Sequence, residues 1–435
     1  MNQLKESSQS SVKSWSRLPS HPQFPADVFQ LENGVTVVHQ NVPATPVAIV
    51  DVWVRSGAIV EPEAWSGMAH FLEHMIFKGT DKLAPGVFDW TIENQGGMTN
   101  AATSHDYAHY FMTTAAQNLE TTLPYLAELL LNATIPDQEF ERERDVILEE
   151  IRQAHDNPDW QVYQALMESI YQHHAYGRPV LGTPEKLIQR SPAEMRAFHR
   201  THYQPENITV VIVGAVEQEF ALETVSRHFD CFAAPATCPF DKTEAEPPLT
   251  EVRRRTLGLP RLGQARLIMG WLGPGVEQLE HAYGLDLISA LLAEGRTSRL
   301  VNELREERGW VQGINSSFSL QRDSGLFTIV AWLDPQYLES VEALICDRLS
   351  DLACTPVSDL ELARCQRLLS NDYAFSTEAP NQLAGLYGYY STIHQPDSAT
   401  RYPHVIRKFQ AADLQRLASQ YLSPNHYAVT TLKSI

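Results

Sequence analysis

The sequence predicts an α+β fold of two homologous lobes, each a mainly antiparallel sheet packed against helices. Short apolar runs of strand length alternate with long helical patterns, and the order strand, strand, helix, loop, strand, helices and final strand occurs twice. Laying the chain on itself at an offset of about 216 residues brings Gly57 onto Gly273, Phe111 onto Phe327 and, with a shift of one, Asn100 onto Asn315.

Taken in order, strands of the first half are expected at Val35 to His39, Ala48 to Val54, Ala108 to Thr113 and Thr209 to Val213. Between them Gly67 to Lys78 reads as a short helix, with Ser66 as its N-cap and Gly79 as its stop. Longer amphipathic patterns run from Leu119 to Ala133 and Asp137 to His155, then in the second half from Tyr337 to Ala353 and Asp359 to Phe375. Pro235, Pro239, Pro247, Pro248 and Pro260 beside charged clusters mark residues 233–263 as an extended linker. The expected division is a polar leader over 1–23, a first lobe over 24–232, that linker, and a second lobe over 264–435.

With 435 residues, 43% of them hydrophobic and 20% charged, the chain can build two domains with ample cores. No run of about twenty apolar residues is present, so no membrane span is expected. Met1 to Ser20 is polar and Ser-rich, unlike a secretory signal, which makes a cytoplasmic location the expectation. A net charge of −19 argues against nucleic acid as a partner, because phosphate backbones call for clustered Lys and Arg. Cys231, Cys238, Cys346, Cys354 and Cys365 are odd in number and lack C-x-x-C spacing, so buried reduced thiols are expected rather than disulfides.

The run His70-Phe71-Leu72-Glu73-His74 carries the chemistry. At roughly 100° per residue, His70, Glu73, His74 and Phe77 share a narrow arc of the helix, while Met68, Phe71, Leu72, Met75 and Ile76 lie opposite. Two imidazoles one turn apart with a carboxylate between them suit a hydrolytic zinc site, which takes three protein ligands and keeps a fourth position for water. The same offset puts Asp286, Ser289 and Ala290 where His70, Glu73 and His74 stand, so one lobe alone carries the metal chemistry and one Zn2+ per chain is expected.

A third ligand is available on the helix from Asp137. Phe140, Ile147 and Ile151 define its buried stripe; Glu139, Glu143 and Glu150 flank that stripe on one side, Glu141 lies on the other, and Glu149 points away. Glu143 and Glu150, two turns apart, can project together toward a site, one as ligand and one as support.

His70-Phe-Leu-Glu73-His74 followed by Glu143-Arg-Asp-Val-Ile-Leu-Glu-Glu150 resembles the inverted zincins, the peptidase family of pitrilysin, insulin-degrading enzyme and the mitochondrial processing peptidase β-subunit. The resemblance extends to Trp53-Val-Arg-Ser-Gly57 and Gly96-Gly-Met-Thr-Asn100-Ala101, and at this length it is to the short, two-lobe bacterial branch. It implies that His70, His74 and Glu150 bind zinc, that Glu73 is the catalytic base, and that Glu143 supports the ligands. The implied activity is zinc-dependent hydrolysis of unfolded peptides or targeting-type segments inside a chamber.

In this family the peptide adds as a strand to a sheet edge, which implies substrate contacts at Asn100, Ala101 and Ala102. Phe77, on the same helical face as the ligands, is a candidate to line a substrate pocket, the alternative being ordinary packing. The second lobe usually contributes an Arg and, seven residues later, a Tyr. Arg305 fits the first, but Gln312 stands at the second. Short members often work as dimers, so the resemblance implies a homodimer, or a heterodimer in which a related chain supplies the Arg–Tyr pair. The alternatives are a non-catalytic core or assembly subunit and a peptide-binding maturation factor of the same fold.

Overall fold

The computed structural model describes residues 15–239, 241, 243–260 and 262–435. Among the described residues twelve strands form two sheets. The first contains β1 (Trp15–Arg17), β2 (Asp27–Leu31), β3 (Thr36–Asn41), β4 (Val47–Val54), β5 (Met98–Thr103), β6 (Ala108–Ala115) and β7 (Ile208–Gly214), in the order β1-β2-β3-β7-β4-β6-β5. The second contains β8 (Arg253–Leu259), β9 (Ala265–Pro274), β10 (Val311–Ser319), β11 (Ser324–Leu333) and β12 (Ala428–Ser434), in the order β10-β11-β9-β12-β8.

Equating β3 with β8, β4 with β9, β5 with β10, β6 with β11 and β7 with β12 makes the order of the second sheet that of the first without β1 and β2, and each sheet has one parallel pair, β3 with β7 and β8 with β12. The duplication expected from sequence is therefore a duplication of topology. Its landmarks need one correction: Asn100 pairs with Phe111, whereas Asn315 pairs with Val330 and Phe327 with Phe318. The Phe111/Phe327 and Asn100/Asn315 equivalences cannot both hold.

Two expected boundaries also shift. The leader over 1–23 falls partly outside the described residues, but Trp15–Arg17 forms β1 and pairs with β2. The linker over 233–263 contains β8, which pairs with β12 as part of the second sheet, so that sheet begins at Arg253. The cysteines are all unpaired, yet among them Cys365 alone is buried, and Cys231 and Cys354 are exposed.

One face of the first sheet is covered by α1 (Met68–Ile76), α2 (Val87–Asn94), α3 (Leu119–Asn132) and α4 (Asp137–Asp156), which share a core with Val50, Val52, Tyr110 and Met112. The opposite face of each sheet is covered by a helix from the other half. Helix α5 (Pro158–Ile170) packs Val162, Leu166, Met167 and Ile170 against Ile268, Leu326, Ala428 and Leu432 of the second sheet. The helix Pro380–Ile393 returns Ala384, Tyr387 and Tyr390 onto Val38, Ile49, Trp53, Val211 and Val213 of the first. This exchange explains why β4 and β7 carry near-continuous apolar runs rather than alternation, since they are buried on both faces.

Among the described residues no helix is long and apolar enough to cross a membrane.

Candidate active site

The helix bearing the HxxEH run starts without a side-chain cap of its own. Gly67 is the N-cap, at φ +93°, with a built Cβ coming within 2.7 Å of the Leu181 carbonyl and 2.9 Å of Gly182 Cα. The expected cap, Ser66, is buried with its hydroxyl unpartnered. Glu61 takes over: its two carboxylate oxygens accept the backbone N–H groups of Gly67 at 3.0 Å and Ala69 at 2.7 Å. Burial pushes the Glu61 carboxyl up to about 8 while those two bonds pull against it. At the other end Gly79, at φ +102°, lets the chain turn away as expected.

Met68, Phe71, Leu72, Met75 and Ile76 face the core, each worth about 1.5–3 kcal/mol on full burial. Phe71 meets Phe140 of α4 with ring centroids 4.5 Å apart, and this contact brings the two polar faces together. His70 Nε2 and His74 Nε2 each lie 3.7 Å from Glu150 Oε2. One ligand atom from each of the three residues falls within 4.8 Å of the others, and no further cluster of this kind occurs among the described residues. Tetrahedral zinc with bonds of about 2.0–2.1 Å has donor–donor edges of about 3.4 Å, so the donor set fits the metal.

The second carboxylate has the supporting place. Glu143 Oε1 lies 2.9 Å from His74 Nδ1, which donates to it and so leaves Nε2 as the lone-pair atom facing Glu150. Lys78 Nζ sits 2.6 Å from the other Glu143 oxygen. Burial would raise the Glu143 carboxyl, but the bonds from His74 and Lys78 hold it below the usual range. Burial likewise works against a charged His74, yet the Glu143 bond and the charges of Glu150, Glu143 and Glu73 raise its pKa. His70 has no such support: its Nδ1 is buried without a partner, and burial with the neighbouring His74 lowers its pKa to about 4. On α4, Glu149 and Glu141 bond Arg152 and Arg144 at the surface, away from the donors.

Glu73 is placed by the sheet. Thr103 Oγ1 donates to Glu73 Oε2 at 2.6 Å, and Thr103 ends β5, the terminal strand of the seven. Burial raises the Glu73 carboxyl while the Thr103 bond opposes the rise. Along β5, Thr99, Ala101 and Thr103 are half-buried and Met98, Asn100 and Ala102 exposed, so of the three expected substrate residues Ala101 shares the Glu73 side of the strand. A cavity of about 280 Å³ opens beside Glu73 and His74, walled by Phe77, Lys78, Asp89, Thr99, Asn100, Ala101 and Glu143. Ala102 is not part of that wall.

Residue-level reading of the sequence missed Glu61, Lys78 and Thr103. Lys78 is four residues beyond His74 and Thr103 two beyond Ala101, so helical and strand periods extended one step would have reached both. Glu61 carried no such local signal.

In the second lobe, Arg305 lies in a π-helical turn, Val301–Glu307, and bonds Glu306 at 2.7 and 2.9 Å. Gln312 lies on β10 and accepts from the side chain of Gln264. The helix Leu279–Ala293 holds Asp286, Ser289 and Ala290; Ser289 bonds Ser316 at 3.1 Å, and burial pushes the Asp286 carboxyl up to about 7.

Two lobes of matching topology, one presenting two histidines and a glutamate around a single point, define a two-lobe metallopeptidase-type protein. The chain belongs to peptidase family M16, the insulinase family, whose sequence model matches residues 36–184, with the model described as peptidase M16 inactive domain matching 191–369. A zinc protease of Helicobacter pylori, PqqE, is 29% identical over 97% of this chain and 95% of its own length. An uncharacterized zinc protease of Mycobacterium leprae is 30% identical over 76% of this chain and 74% of its own. The crystal structure of a protease from Helicobacter pylori superposes with a TM-score of 0.88 at 26% identity, covering 94% of this chain and 99% of that one. A peptidase M16 inactive domain from Pseudomonas fluorescens shares the fold at 18% identity, with a TM-score of 0.85 over 94% of this chain and 98% of that one.

Proposed function

We propose that the protein is a zinc-dependent endopeptidase acting on unfolded peptides or targeting-type segments, and that it is the zinc-bearing subunit of a dimer. The observation that carries this reading is the convergence of His70, His74 and Glu150 beside Glu73, at the open edge of β5. A zinc ion held by those three residues would acidify water and polarise a peptide carbonyl. The chain's own residues do the rest. An extended substrate pairs with β5, whose outer edge has no strand beside it among the described residues, and this places a carbonyl next to Glu73. Glu73 accepts the proton of the attacking water and returns it to the departing amine nitrogen, a task helped by the burial that raises its pKa. Thr103 keeps the carboxylate aimed, and Glu143 with Lys78 keeps His74 in the tautomer that binds metal.

Gln312 favours a partner. A related chain bringing an Arg–Tyr pair would supply the phenol that β10 lacks, and Arg305 here is engaged by Glu306. A non-catalytic role in an assembly, or as a peptide-binding maturation factor, is the second reading, supported by the same Gln312. A cytoplasmic location goes with both.

Zinc content and peptide cleavage, measured for wild type and Glu73→Gln, alone and mixed with a related chain carrying the tyrosine, test the proposal. One zinc per chain, turnover on the order of 1–1,000 per second in the mixture and none with Glu73→Gln are expected. Zinc-free protein, or cleavage that survives Glu73→Gln, would overturn it.

A further inference from the structure

The cavity beside Glu73 contains more charge than the peptidase chemistry uses. Its walls are an aromatic face, Phe77, which meets Phe88 and Tyr110 with centroids 6.0 Å away, and a polar rim of Lys78, Asp89, Thr99 and Asn100. The rim groups are not equally free. Lys78 Nζ is committed to Glu143 Oε2 at 2.6 Å. Thr99 donates its hydroxyl to the Phe111 carbonyl at 3.0 Å, and Asn100 Oδ1 accepts from the backbone of Ala101 at 2.9 Å. Asp89, on α2, stands at the same cavity with no cation within 4.0 Å among the described residues.

Charge accounting around the cavity isolates this carboxylate. Glu73 and Glu150 together balance a divalent ion at the His70–His74–Glu150 point, and Glu143 balances Lys78. Asp89 is left over. Its carboxyl is held above the ordinary range by burial and by the charge of Glu93 nearby, against a bond from its own backbone N–H and the weaker influence of Lys78, as expected of an acid that is partly desolvated and has no ion-pair partner.

We infer that Asp89 makes this cavity a receptor for a basic side chain, so that the preferred peptides carry Lys or Arg at the residue whose side chain enters beside Glu73. The aliphatic stem would lie on Phe77 and the cationic head would meet Asp89, the arrangement long basic side chains adopt where an apolar wall ends in an acid. Pairing of the peptide with β5 sends alternate side chains to the helix-facing side, so one residue of the substrate is delivered to this cavity and its neighbours are not.

This inference rests on the peptidase reading, and its test separates the two. A set of extended peptides differing at one position at a time in Lys, Leu or Glu is assayed twice: for cleavage by wild type, Asp89→Asn and Asp89→Lys with the related chain present, and for binding by fluorescence anisotropy to the Glu73→Gln form of each. At one position wild type should favour Lys over Glu at least tenfold. Asp89→Asn should abolish that preference and Asp89→Lys should invert it, with zinc content unchanged. Cleavage whose side-chain preference is the same in all three proteins overturns the inference and leaves the peptidase reading standing. Asp89-dependent binding without cleavage overturns the peptidase reading and leaves the basic-side-chain site. Neither binding nor cleavage overturns both.

Discussion

Lys78 Nζ lies 2.6 Å from the Glu143 oxygen that does not touch His74, so His74, Glu143 and Lys78 form one linked chain leading away from the metal-binding point. Lys78→Met should leave Glu143 buried and without its cation, loosening the bond that orients His74. Loss of such an outer partner typically costs 10–100-fold in metal affinity. Chelator competition on the folded variant should therefore give a zinc dissociation constant raised by about tenfold, and an unchanged constant would mean that Lys78 serves the cavity alone.

Thr103→Val keeps side-chain volume and removes the hydroxyl that holds Glu73. A hydrogen bond to a charged group is worth about 1.5–3 kcal/mol, which corresponds to a fall of roughly ten- to a hundredfold in kcat if the bond acts in the transition state. Zinc content and KM should stay close to wild type, because Thr103 touches no metal donor.

The start of α1 offers a paired comparison. Glu61→Ala leaves the Gly67 and Ala69 N–H groups buried without acceptors and should destabilise the protein by about 1–3 kcal/mol for each group. Ser66→Ala should change stability by less than about 0.5 kcal/mol, since its hydroxyl caps nothing. Urea unfolding midpoints of the two variants, measured side by side, decide whether the cap is Glu61.

Stability should fall in acid through His199 and His202, whose pKa values burial lowers to about 4. The folded protein keeps both neutral, and His199 Nε2–H donates to the Leu130 carbonyl at 2.7 Å. The unfolded chain protonates them near 6.5, so it binds more protons and stability rises with pH across this window. Their contribution is complete above about pH 6.5 and is lost progressively toward pH 4, on the order of a few kcal/mol. Unfolding midpoints at pH 7, 5.5 and 4.5 should show the decline, with a shallower slope in His199→Gln.

The site was more legible than its supports, and the reason lies in range. The ligands follow helical periods: His70, Glu73 and His74 share one arc, and Glu143 and Glu150 are two turns apart beside the stripe Phe140–Ile147–Ile151, so a wheel sorts them from Glu141 and Glu149. The cap failed because capping rules look at the adjacent residue, and Ser66 has the right chemistry. What excludes it is tertiary: Gly67 is pressed against Gly182, and Glu61 reaches back from an earlier turn. Strand β8 was hidden by its setting among prolines, and its partner β12 lies at the far end of the chain. The apolar stripe of α5 announces that it must be covered but not by which sheet.

That exchange of α5 and Pro380–Ile393 has a mechanical consequence. Gly388 lies against Trp53 so closely that a built Cβ would come 1.9 Å from the indole nitrogen. Each half thus supplies the other's second hydrophobic wall, and a chain severed between Gly214 and Arg253 would yield two fragments that each expose a bare apolar sheet face. The halves are one folding unit with two sheets, clasped like linked hands, and they have little freedom to swing apart. A peptide reaches β5 at the sheet's open edge, and admitting it calls for no parting of the two halves.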